Sequence, residues 1–238
     1  MGWQNHTTLP NLRKRPPKVP TMYLPPQFKA KTPDDAWALV RAYPFALLIS
    51  NDDAGLPFVT PLPLHLELRG EQGKQGEEAV LLGHCAKANP HWRYLAARPT
   101  AVVTFMGPHA YMSPSVYPDL ARVPTWNYLT VHCTVTARIV ESFDDKDTLL
   151  KHLIGDHDPA YAAQWRGLPE DFQRKMMSGI TAFELTVTSV QCKLKLNQHR
   201  PEAHAAMHAA YAAGDENEQA LACWMSRLGL TASMTGDV

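Results

Sequence analysis

The chain lacks most of the features that assign a protein quickly. No apolar run approaches the eighteen or so residues of a membrane span, and the first residues lack the apolar centre of a secretory signal. A cytoplasmic protein with no membrane partner is expected. Net charge is zero, with 23 basic and 23 acidic residues, so no global field draws the chain towards nucleic acid or lipid. The four cysteines, Cys85, Cys133, Cys192 and Cys223, form no CxxC pair, which argues against zinc clips and disulfide scaffolds and for reduced, partly buried thiols. There is no G-x-S-x-G, Walker loop, G-x-G-x-x-G or internal repeat, so a hydrolase reading has nothing to hold. His204 and His208 stand at helical i, i+4 spacing without an acidic partner in the repeat, and read as surface histidines rather than a metal site.

What is present is an ordinary globular composition, 45% apolar and 19% charged over 238 residues. The first 21 residues form a proline-rich basic extension with the run RKRPPK at Arg13–Lys18. Proline at that density favours an extended arm, and four cations make only a modest footprint for DNA. A helix opens at TPDDAWALVRAY, with Thr32 as N-cap, Pro33 in the first turn and Asp35 at capping-box spacing. FALLIS (Phe45–Ser50) reads as a buried strand. LPFVTPLPLHLEL (Leu56–Leu68) reads as a strand whose even positions are apolar. Its prolines at 57, 61 and 63 cannot donate ladder hydrogen bonds, which puts it at a sheet edge or bulge.

Further strands are expected at 79–83 and 100–106, joined by a short helix near NPHWRYLAA, and then a loop over 107–124. VPTWNYLTVH begins the next strand, where Leu129, Val131, Cys133 and Val135 alternate with polar residues. Trp126 and Tyr128 fall on its other face. Short helices fill 145–177, ITAFELTVTSV is the last clear strand, and two alanine-rich helices close the chain at about 201–213 and 216–228. Strands do not alternate with helices in the βαβ manner. The expectation is a mainly β, α+β protein: an antiparallel sheet or barrel over residues 22–200, with peripheral helices and a helical segment 201–238.

Three segments could carry chemistry. HCAKANPHW (His84–Trp92) follows a strand and opens a helix, where Lys87, Asn89 and free N–H groups suit a phosphate. Ordinary capping by Asn89 with Pro90 in the first turn stands beside that reading. KLKLNQHR (Lys193–Arg200) places Lys193 and Lys195 on one face, either as an anion clamp or as a solvated basic face. Trp126 and Tyr128 beside proline-rich backbone offer a stacking surface, a subunit interface, or a face covered by a helix of the same chain.

Together with MYLPPQF (Met22–Phe28), FMGPHAYMSPSVY (Phe105–Tyr117) and VPTWNY (Val123–Tyr128), these segments resemble the PaiB-type proteins, the FMN-binding negative transcriptional regulator family, over about residues 22–205. Lys87 keeps the charge where that family usually has arginine. The resemblance implies a six-stranded antiparallel split β-barrel of the FMN-binding type, working as a homodimer with the flavin on the barrel's outer surface between subunits. It implies Lys87 and Asn89, with the helix start after His84, for the phosphate, and the backbone of Thr60, Pro61, Leu62 and Pro63 along the ring. Asn127 would meet the ring's polar edge, Trp126 and Tyr128 would be covered by ring and partner, and Lys195 with Asn197 would arrive from the partner chain. The function it implies is repression of transcription. A flavin-dependent oxidoreductase or haem-handling enzyme is the alternative, with catalytic residues unassigned. No basic recognition helix is visible, so direct DNA binding has little support in the sequence.

Overall fold

The computed structural model describes residues 22–70, 78–119 and 121–231. The expected extension 1–21 and most of the loop after Arg69 lie outside the described residues. Helix α1 (Pro33–Ala42) leads into β1 (Phe45–Asn51), β2 (Pro57–Pro63), β3 (His65–Arg69) and β4 (Glu78–Ala86). Helix α2 (His91–Ala97) then precedes the long strands β5 (Thr100–Met112) and β6 (Thr125–Val140). Helices α3 (Phe143–His157), α4 (Tyr161–Gly167) and α5 (Glu170–Ser178) separate β6 from β7 (Ile180–Lys195), and α6 (His204–Ala212) and α7 (Glu216–Arg227) follow.

All seven strands form one antiparallel sheet in the order β2-β1-β5-β6-β7-β4-β3. The count is seven rather than six because the proline-rich stretch is two strands. It breaks at Leu64, whose N–H donates to Pro44 O at 3.0 Å. β2 pairs only with β1, and β3 only with β4, so the two halves become opposite edges of the sheet. The prolines do fall on an edge, where their missing N–H groups cost no ladder bond. The edges approach each other through side chains. A Cβ at Gly83 of β4 would lie 2.5 Å from Leu64 Cδ2 and 3.2 Å from Leu62 Cδ1, so glycine permits the close packing. The sheet curls into a barrel whose seam has no ladder, which is what makes it split.

Alternation sets the core. Leu129, Val131, Cys133 and Val135 are fully buried, with Phe105, Val103, Phe183 and Leu185 from neighbouring strands and Leu39 from α1. Met207, Tyr211, Leu221 and Met225 of the last two helices insert into the same core. α3 covers the outer side of β4, with Leu149 and Leu153 against Val80, Leu82 and Ala182. Two expectations are corrected. β1 is buried on one side only, since Phe45 and Leu47 are exposed. β5 also runs six residues further than its apolar core segment, to Met112, because a bulge between Met106 and His109 absorbs Gly107 and Pro108. The loop therefore starts at Ser113, not at Gly107.

Candidate functional site

The end of β4 and the start of α2 bring the expected phosphate loop against β2. The Lys87 N–H donates to Gly179 O at 2.8 Å and its carbonyl accepts from Trp92 Nε1 at 3.0 Å, so the backbone is pinned while the side chain is exposed. Asn89 uses both ends of its amide: Oδ1 accepts the His91 N–H (3.0 Å) and Nδ2 donates to Thr60 Oγ1 (3.2 Å). The N-cap is Pro90, and Asn89 instead closes a turn onto His91 and joins the loop to β2. The residue at the centre was not singled out from sequence. His91 is 1% exposed, with Nδ1 2.7 Å from Thr60 Oγ1 and Nε2 2.9 Å from Ser50 Oγ. Burial pushes its pKa down to about 4, so the ring is neutral. Thr60 and Leu62 point inward, while Pro61 is exposed beside Leu47 of β1.

The second group lies past the β5 bulge, on the outer face of β5, β6 and β7. Trp126 is 54% exposed, packed edge-on against the half-exposed Tyr111 across the strand pair (centroids 6.2 Å) and near His109 (6.3 Å). Tyr128 pairs with Lys195, and the ammonium groups of Lys193 and Lys195 sit 5.1 and 5.7 Å from its ring centroid. Lys195 donates to Thr125 Oγ1 and to Trp126 O. Burial, and then Lys193, lower its pKa. Lys193 is buried beneath the chain at Tyr23, whose carbonyl it meets at 3.1 Å.

Asn127 and Asn197 sit elsewhere. Asn127 shares the core side of β6 with Leu129 and is wholly buried; its Nδ2 donates to Tyr211 Oη at 3.0 Å and approaches Met207 Sδ at 3.2 Å. Within its own chain it does not reach the outer face expected for it. Asn197, also buried, has φ 56°, a left-handed corner that asparagine tolerates. Its Nδ2 donates to Tyr117 Oη (2.9 Å) and its carbonyl accepts from His204 Nε2 (2.9 Å). Both asparagines secure α6 to the barrel. The same contact corrects His204, which is buried rather than on the surface; the half-exposed His208 meets Ser226 Oγ instead. His84 lies on the outer side of β4, half-buried, and its Nδ1 is enclosed without a hydrogen-bond partner. Burial lowers its pKa.

An antiparallel sheet coiled into a barrel with an unpaired seam is the split-barrel fold, here with a pinned cationic loop beside a proline edge. The flavin-binding members of that fold include two similar solved structures. One is the FAD and haem binding protein from Mycobacterium smegmatis (TM-score 0.52, 19% identity, 70% of this chain and 73% of that one). The other is the flavocytochrome Anf3 from Azotobacter vinelandii (TM-score 0.53, 15% identity, 71% and 70%).

Residues 22–189 match a family model described as "Putative FMN-binding domain". The protease synthase and sporulation protein PAI 2 of Bacillus subtilis (strain 168) is 31% identical over 185 residues, 76% of this chain and 84% of that protein. The chain belongs to this PaiB-type FMN-binding family, and its cofactor is FMN. The residues present fit that group. Lys87 offers an exposed cation, His84 Nδ1 an enclosed nitrogen that lacks a partner, and Phe45, Leu47, Val59 and Met106 an exposed apolar face for a ring.

Proposed function

We propose that the protein is a homodimer that holds FMN between its subunits and acts as a PaiB-type negative regulator of transcription. One observation carries the dimer. Lys87 follows β4 and is pinned to Gly179 just before β7, with Thr60–Pro63 of β2 joined to its loop through Asn89, whereas Trp126 and Tyr128 lie at the start of β6 and Lys195 at the end of β7. Gly179 and Lys195 bracket the 16 residues of β7, a path of roughly 50 Å at about 3.3 Å per residue, so a ring beside Lys87 is not closed over by the second group of the same chain. A second copy would bring its Trp126, Tyr128 and Lys195 to the flavin of the first. The exposed Phe45, Leu47, Val59 and Met106 would be covered in the process.

In this reading the Lys87 ammonium neutralises phosphate charge, the β2 backbone aligns the ring, and Trp126 and Tyr128 keep water from it. When bound, FMN supplies one- and two-electron chemistry of its own, so the chain needs no acid–base pair. The protein is read as cytoplasmic; no helix among the described residues is long and apolar enough to cross a membrane.

The regulator role comes from the family resemblance. α6 and α7 insert Met207, Tyr211 and Leu221 into the core, and the first turn of α7 carries Glu216 and Glu218. Neither offers a basic recognition face, so the reading has the dimer act through another protein, with direct DNA contact a weaker option. The second reading, a flavin-dependent oxidoreductase or haem-handling enzyme, is favoured by the open aromatic face at His109, Tyr111 and Trp126, where a planar substrate has access. Light scattering with flavin-fluorescence titration tests the common part. A monomer that leaves FMN fluorescence unquenched would end both readings. NAD(P)H oxidation by the FMN-loaded protein would favour the enzyme, and retardation of a specific DNA fragment would favour the regulator.

A further inference from the structure

The hydrogen bonds at the β2–α2 corner run in one sense. A neutral imidazole has one N–H and one lone pair, so the two hydroxyls flanking His91 cannot play the same part. Asn89 Nδ2 donates to Thr60 Oγ1, whose O–H can then donate to His91 Nδ1 while the ring's Nε2–H donates to Ser50 Oγ. We assign this tautomer, in which every donor has an acceptor. The chain of donors starts on the loop that carries Lys87, crosses β2 and ends on β1. Asn89 is thus gripped twice by His91, directly through the backbone N–H and indirectly through Thr60. Phe58 stands edge-on to the imidazole at 5.1 Å and shields it from water.

We propose that His91 is the positioning residue that fixes the Lys87–Asn89 loop against Thr60–Pro63 and so gives the site its preference for phosphorylated flavin over riboflavin. The proposal rests on the reading of Lys87 as the phosphate cation. His91 does not touch the ligand. It acts by holding the loop in register. An exposed lysine on a free loop gains little from an ion pair, because ordering the loop offsets the attraction, whereas a loop already held in place keeps that gain.

The test is a set of flavin-fluorescence titrations with FMN and with riboflavin, on the full chain and on Lys87→Ala, Thr60→Val, His91→Asn and His91→Gln. Thr60→Val keeps the shape and removes the hydroxyl that links His91 to Asn89. It and His91→Gln are expected to weaken FMN by about five- to tenfold more than they weaken riboflavin. His91→Asn keeps an acceptor near the Nδ1 position and should retain more FMN affinity than His91→Gln. Equal losses for both flavins would mean that the network serves folding alone, and no loss in Thr60→Val would mean that the loop is held by other contacts. Either result overturns the proposal. If Lys87→Ala leaves the FMN-to-riboflavin ratio intact, the phosphate reading falls and takes this proposal with it. If Lys87→Ala collapses the ratio while Thr60→Val does not, only the role of His91 falls. Should the His91 variants not fold, Thr60→Val decides alone.

Discussion

Acid should act on His91 before it acts on most of the core. The group titrates at 6.5 in an unfolded chain and at about 4 in the fold, because burial opposes the charged ring. The unfolded state therefore binds a proton that the folded state refuses, and stability drains away as pH falls from 6.5 towards 4. Above 6.5 the effect is absent. At about pH 4.5 the linkage amounts to about 2–3 kcal/mol, a large share of the 5–15 kcal/mol typical of a whole domain. Urea unfolding at about pH 7 and about pH 4.5 measures it, with His91→Gln as the comparison. His84 and His199 are also shifted down by burial, but they remain in both proteins and cancel in the difference. The native chain is expected to lose about 2–3 kcal/mol more than the variant over that range. Parallel losses would show that His91 is not held neutral, and the donor order around it would then be wrong.

Other perturbations separate face from core. Trp126→Ala should weaken the dimer by about 2 kcal/mol or more, seen as a concentration-dependent shift to monomer in sedimentation velocity, because exposed aromatics dominate interfaces. An unchanged dimer would place the interface elsewhere. Gly107→Ala puts a Cβ 2.7 Å from Leu39 Cδ1 and 3.2 Å from Leu129 O, so a stability loss of about 1–3 kcal/mol is expected in thermal unfolding. Tyr211→Phe strips the acceptor from the buried Asn127 amide and should cost about 1–3 kcal/mol, a fall in Tm of several degrees, with FMN affinity retained. A loss of FMN binding at constant stability in that variant would return Asn127 to the cofactor.

Some of the site was legible from local pattern. The alternation through Leu129, Val131, Cys133 and Val135 fixed which side of β6 meets the core, and so put Trp126 and Tyr128 on the other side. The same parity places Asn127 with Leu129, where Tyr211 supplies a partner for its buried Nδ2; the role at the ring's polar edge came from analogy. The GP step at 107–108 read as a loop because glycine and proline break strands in general. Here a bulge takes them up, and pairing resumes at His109 opposite Tyr128. His91 escaped notice because its contacts, Ser50 and Thr60, are 41 and 31 residues away.

Periodicity and the positions that cannot donate hydrogen bonds are local: they say which residues face inward on β6, and that the prolines of β2 need an edge. Those are properties of a residue and its neighbours. Tertiary structure alone settles that residues 57–69 belong to two opposite edges, that Asn89 and His91 both meet Thr60, and that the two halves of the candidate flavin site stand at opposite ends of β7. Each depends on how the sheet coils and closes its seam, which arises from contacts between residues distant in the chain.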